Sequence, residues 1–170
     1  MTVITSITPI NYLALINSAL TIDLFVMSLI VFRYFKSKML KKWYNLYHLA
    51  AILADVLSLV IGLIVAFYIY KYIFSSYSIF YFGVVAVIVQ ICHDLLFNLF
   101  FNLVPRGRSR ILDTFKDYAK ELGLWILFGD SLMIIGTIIL YTFFQKMSLE
   151  GNIISLIFSL YFLPYLLYSI

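Results

Sequence analysis

Five apolar stretches, each about as long as a membrane-crossing helix, constrain this chain more than any other feature. A helix needs roughly 20 mainly apolar residues to cross the hydrocarbon core. Ile10 to Phe32, Leu46 to Tyr70, Ile79 to Val104 and Leu124 to Phe144 all meet that length. The fifth stretch, Ile153 to Ile170, has 18 residues and carries Pro164, so it either spans with a kink or lies partly in the interface. Composition closes off the alternatives. Of 170 residues 64% are apolar and only 12% charged, about half the charged share of a soluble domain. No water-soluble fold of this size hides so much apolar surface. The same composition excludes a disordered chain, a disulfide scaffold and a nucleic-acid partner, and Cys92 has no second cysteine to pair with. The expected fold is all-α, a polytopic membrane protein forming a single domain over residues 1–170.

Basic residues give the orientation. None precedes the first span, which lacks a basic leader region and reads as an uncleaved helix. The next loop holds Arg33, Lys36, Lys38, Lys41 and Lys42, and the following one only Lys71. Arg106, Arg108, Arg110, Lys116 and Lys120 come next, then Lys146 alone. Alternate sides thus hold ten basic residues against two, and cytoplasmic loops collect Lys and Arg. The N-terminus is expected outside and the C-terminus in the cytoplasm. Trp43, Tyr44, Tyr47 and Trp125 are expected at the inner boundary, with Tyr70, Tyr72, Tyr77 and Tyr141 at the outer one. Besides the bilayer itself, Arg106, Arg108, Arg110, Lys41 and Lys42 are candidates for contact with anionic lipid or a partner.

One inner loop has its own pattern. Over Ser109 to Leu122, Ile111, Leu112, Phe115, Ala119 and Leu122 line one helical face, opposite Asp113, Lys116, Asp117, Lys120 and Glu121. That is an amphipathic helix for the inner interface, following the turn Pro105-Arg106-Gly107 and ending at Gly123.

The candidate site is a layer of aspartates. Asp23, Asp55, Asp94 and Asp130 each sit in one of the first four spans, and none of these spans contains Lys or Arg. One ionisable group in the hydrocarbon costs roughly 2.5–3.5 kcal/mol on insertion scales. At about 1.5 Å per residue all four lie roughly 9–15 Å from the inner surface. Span three carries Gln90, Asp94, Asn98 and Asn102 at four-residue spacing, with His93 beside them. Span two places His48, Asp55, Ser58 and Gly62 in one sector, and span four repeats Gly123, Asp130 and Thr137 at heptad spacing. Asp23 is the exception: Asn17 and Thr21 share a face, and Asp23 lies about 120° round the helix from Asn17. Shared small and polar faces let membrane helices approach closely. A four-helix bundle lined by polar groups follows, with the fifth span packed outside it.

Carboxyls gathered in low dielectric without cations cannot all remain ionised; they hold protons, bind a cation or reach water. Three readings stay open. The first is passage or sensing of a proton or small cation through Asp94 and Asp55, completed by Asp130 and Asp23, with Gln90, Asn98 and Asn102 handing the ion on and His48 near the inner mouth. The second is packing alone, each Asp bonding Ser, Asn or Thr across helices in a structural or scaffolding membrane protein. The third, a metal site of Asp55, Asp94, Asp130 and His48, is weaker, because His93 and Asp94 are expected to point about 100° apart. No zinc motif, nucleophile turn, phosphate loop or potassium filter occurs. Phe128-Gly129-Asp130 lacks the first glycine of the intramembrane aspartyl-protease motif, since Leu stands at 127. Enzyme activity is therefore not indicated, no cofactor is implied, and a second copy of the chain remains a candidate partner.

Two stretches carry a resemblance. Residues 90–102, QICHDLLFNLFFN, and 115–123, FKDYAKELG, leading into Gly129-Asp130-Ser131, resemble multi-span membrane proteins encoded by large DNA viruses of algae and protists. The likeness runs from the second span to the C-terminus. It implies a virion inner membrane or a host membrane as the location, and carries no site residues.

Overall fold

A computed structural model describes residues 10–170, and all its regular elements are helices: α1 Tyr12–Val31, α2 Lys38–Tyr47, α3 Leu49–Ile73, α4 Ile79–Leu103, α5 Arg110–Leu122, α6 Trp125–Phe144 and α7 Leu149–Leu167. Five of them, α1, α3, α4, α6 and α7, are long and apolar enough to cross a membrane. Helices α1, α3, α4 and α6 form a ring in which each packs on the next, and α7 lies against α1 outside it.

Helix α1 is therefore covered on two sides, and its residues suit that position. Ala14, Ser18 and Ala19 are fully buried, small side chains that let neighbouring backbones come close. Gly136 of α6 serves the same end. A Cβ there would stand 2.7 Å from Ile22 Cδ1 of α1, too close without a shift of that side chain. The ring is filled by Leu20 of α1, Leu59 and Leu63 of α3, Ala86 of α4, and Ile134 and Ile138 of α6. Large apolar side chains such as Leu57, Ile61, Ile157 and Phe158 remain on the outward faces, where lipid replaces a water-facing shell.

Two departures from the sequence reading matter. The second span does not begin at Leu46. The backbone at His48 takes φ +46°, which breaks the helix and frees Lys38–Tyr47 as the separate helix α2. Ser37 caps it, its hydroxyl accepting from the Leu40 N–H at 3.0 Å. Trp43 and Tyr44 are 6% and 1% exposed, so they wall the interior instead of standing in an interfacial belt. The fifth helix begins at Leu149 and continues through Pro164 to Leu167. Its earlier start includes Asn152, which the expected span excluded.

Helices α2 and α5 lie together across one end of the ring. Glu121 of α5 accepts from the backbone N–H groups of Lys38 and Met39 at 2.8 and 2.7 Å. A carboxylate placed on a helix N-terminus meets both unpaired donors and the positive end of the dipole. The pair is joined further by Trp43 against Phe115, centroids 4.8 Å apart, and by Tyr47 Oη and Thr114 Oγ1 at 2.9 Å. Arg106 and Lys42 both reach Asp117, at 2.9 and 3.9 Å. Ten of the twelve Lys and Arg residues lie at this end, called the basic end below.

Candidate functional site

Beneath α2 and α5 the ring opens into a chamber of about 940 Å³. Asp55 of α3, Asp94 of α4 and Asp130 of α6 all line it, together with Gln90, His93 and Asn98. No Lys or Arg is in the lining. Three of the four aspartates singled out by position are thus brought to one space by three different helices. Leu59 lines the chamber and belongs with Leu63, Ile134 and Ile138 to the buried apolar core of the ring.

The fourth aspartate stands behind the wall. Asp23 is fully buried and is not part of the lining. Its Oδ1 accepts from Tyr44 Oη at 2.8 Å, while Oδ2 has no hydrogen-bond partner among the described residues. Trp43 Nε1 donates to Asp55 Oδ2 at 2.9 Å. Two neighbouring residues of α2 thus hold two carboxyls from different spans. Burial raises the Tyr44 phenol well above its ordinary pKa, and the charges of Asp23 and Asp55 push it the same way, so Tyr44 stays a proton donor.

Asp94 is held within its own helix. Gln90 Nε2 donates to its Oδ1 at 2.7 Å, one turn earlier, and His93 Nδ1 lies 3.2 Å from the same oxygen. The expectation that these adjacent residues point apart is corrected: both line the chamber, their side chains folding toward each other. Asp94 Oδ2 is shielded from solvent and has no partner among the described residues. Asp130 lies within electrostatic reach of Asp94 and Asp55.

Tyr118 of α5 completes the site and was missed in the sequence. It lines the chamber, and burial raises its phenol, followed by the charges of Asp130, Asp55, Glu121 and Asp94. A signal was present, because Ile111, Phe115, Tyr118 and Leu122 recur at helical spacing.

Other candidates lie elsewhere. His48 is exposed at the α2–α3 break, its ring 5.9 Å from that of Tyr168. Asn102 is exposed and donates to Asn98 Oδ1 at 3.0 Å, outside the chamber. Arg106 is engaged with Asp117, Lys42 reaches the same carboxylate, and Lys41, Arg108 and Arg110 are exposed at the basic end. Among the described residues no three His, Cys, Asp or Glu side chains group closely enough to hold a metal ion, so Asp55, Asp94, Asp130 and His48 do not form one. Compared with protein-family models, curated proteins and solved structures, the chain matches none.

The packing alternative also changes form. Ser18, Thr21, Ser28, Ser131 and Thr137 donate to carbonyls four residues back in their own helices. Their hydroxyls are satisfied locally; Asp23 and Asp55 take donors from α2, and Asp94 from Gln90, instead of from Ser or Thr across the bundle.

Proposed function

We propose that this integral membrane protein takes up protons or a small cation at its aspartate chamber and passes or senses them, with the basic end in the cytoplasm. One observation carries the reading. Asp55, Asp94 and Asp130 reach a common chamber from three helices, with no Lys or Arg among the described residues in its lining. Uncompensated carboxyls in low dielectric gain most from a proton or cation. The orientation rests on the ten-to-two division of Lys and Arg. Transport through the ring requires that the apolar floor at Leu59, Leu63, Ile134 and Ile138 part, since these side chains pack closed.

The test is flux in proteoliposomes under imposed proton, sodium and potassium gradients, beside a variant with all four aspartates changed to Asn. Flux that falls at least tenfold in the variant supports the pathway and names its ion. Equal flux in two equally folded proteins would sink it.

A second reading has its own support. Arg108, Arg110 and Lys41 are exposed on the α2–α5 end, as a scaffold recruiting anionic lipid needs. It predicts that replacing Arg108 and Arg110 with Gln lowers flotation with anionic vesicles, while the aspartate changes affect only yield.

A further inference from the structure

We propose that the guest of the chamber is an amphiphilic organic cation, a protonated amine with an apolar or aromatic body, entering from the bilayer. This rests on the reading of the aspartates as a cation-binding site and names the class of cation.

Size is the first argument. A proton relay or a bare ion needs space for a few waters, each taking about 30 Å³. The chamber is about 940 Å³, within the range of roughly 300–1,000 Å³ typical of sites for small organic molecules. The second argument is the wall. Apart from its carboxyls and few amides the lining is mainly apolar, with Trp43, Tyr47, Phe97, Phe101 and Phe115 presenting aromatic rings. Such walls bind poorly to a hydrated metal ion, but they take an apolar body and can face an ammonium group over a ring. Charge is the third. Asp55, Asp94 and Asp130 line the chamber, and among the described residues no Lys or Arg does. An ammonium guest supplies hydrogen-bond donors and a countercharge to these carboxyls together, whereas an anion is repelled and a neutral guest leaves the carboxyls desolvated.

The route is indicated by exposure. Phe25 of α1, Leu95 of α4 and Leu132 of α6 all line the chamber. They are nevertheless 58%, 52% and 52% exposed, on membrane-spanning helices. An amphiphile dissolved in the bilayer that passes between these side chains reaches the chamber without crossing water.

The probe is monodansylcadaverine, a fluorescent primary amine, compared with the dansyl amide of pentylamine, which has the same body without the amine. Binding is measured by fluorescence to the full chain in nanodiscs. The amine should saturate at one site per chain and bind at least tenfold tighter than the neutral analogue. Asp94→Asn should weaken it about tenfold. A Cβ at Gly129, a lining position, meets no atom within 4 Å, and Gly129→Phe should place a ring in the chamber and block the amine. Equal affinity for the two probes, a comparison that needs no variant, overturns the proposal. So does amine binding unchanged by Gly129→Phe in a folded protein. Flux measured on the same preparation separates the two levels. Aspartate-dependent flux without amine preference leaves the small-cation reading standing and removes the organic guest, whereas loss of both removes both.

Discussion

Two polar clusters lie within the membrane-spanning helices, and they differ in how far their hydrogen bonds are met. Between α1 and α7, Asn17 Nδ2 donates to the Asn152 carbonyl at 2.8 Å and to its Oδ1 at 3.1 Å. Asn152 Nδ2 in turn faces the carbonyls of Phe144, Met147 and Ser148 at 2.9, 3.4 and 3.2 Å. Both residues are neutral and fully enclosed, with only Asn17 Oδ1 left over. At the basic end the groups are ionisable, no Lys or Arg among the described residues lines their chamber, and they border open volume. The difference teaches how polarity inside a membrane should be weighed. Neutral amides that bond one another and nearby carbonyls behave as glue. Carboxyls left lining a cavity do not repay their insertion cost by packing.

Substitutions can break that comparison. The largest effect on stability belongs to the glue. Asn152→Leu removes the Oδ1 acceptor of Asn17, leaving its bond to the residue 152 carbonyl, and takes the side-chain donor away from the carbonyls of Phe144, Met147 and Ser148. It should cost about 2–3 kcal/mol in thermal unfolding in detergent. Flux and amine binding should be unaffected at temperatures where the protein is folded. A loss below about 0.5 kcal/mol would show that the pair does not hold α7 to α1. Next comes Tyr44→Phe, which leaves Asp23 Oδ1 without its donor and should cost about 1–2 kcal/mol. The smallest change should follow Asp94→Asn. Gln90 can still donate to the remaining carbonyl oxygen, so stability should move by less than about 0.5 kcal/mol while cation flux falls tenfold or more. A destabilisation matching that of Asn152→Leu would make the chamber aspartates glue as well, and the distinction would collapse.

How much of this is legible in the sequence depends on the range of the interaction. Hydropathy marks the five spans because crossing a bilayer is a local demand on about 20 residues. The amphipathic pattern likewise marks α5, and one aspartate per span marks the layer. Helix α2 is lost because its apolar face, Leu40, Trp43, Tyr44 and Tyr47, runs directly into the apolar stretch that follows. The break at His48 is a left-handed backbone turn with no Gly or Pro to announce it. Asn152 escapes for a different reason. Its partner is 135 residues away, and it stands just before the apolar run, where it reads as a loop residue. The pairing of Tyr44 with Asp23 and of Trp43 with Asp55 follows from that same turn, so it could be found only once α2 was placed.

Alkaline pH offers the finest discrimination between the two clusters. Tyr44 and Tyr118 are both raised in the folded protein, foremost by burial and then by neighbouring carboxylates. An exposed phenol in the unfolded chain ionises near pH 10. Above that pH the unfolded chain has given up protons that the folded chain keeps, so it binds fewer protons and stability falls as pH rises. Each such group contributes a slope of up to about 1.4 kcal/mol per pH unit until its folded-state value is reached. Asn17 and Asn152 do not titrate. Unfolding measured from pH 8 to 11 should therefore show Asn152→Leu displaced from wild type by a constant amount at every pH. Tyr118→Phe should instead converge on wild type, or rise above it, as the pH passes 10. Parallel curves for both variants would mean that Tyr118 does not keep its proton among the carboxyls, and would detach α5 from the chamber chemistry.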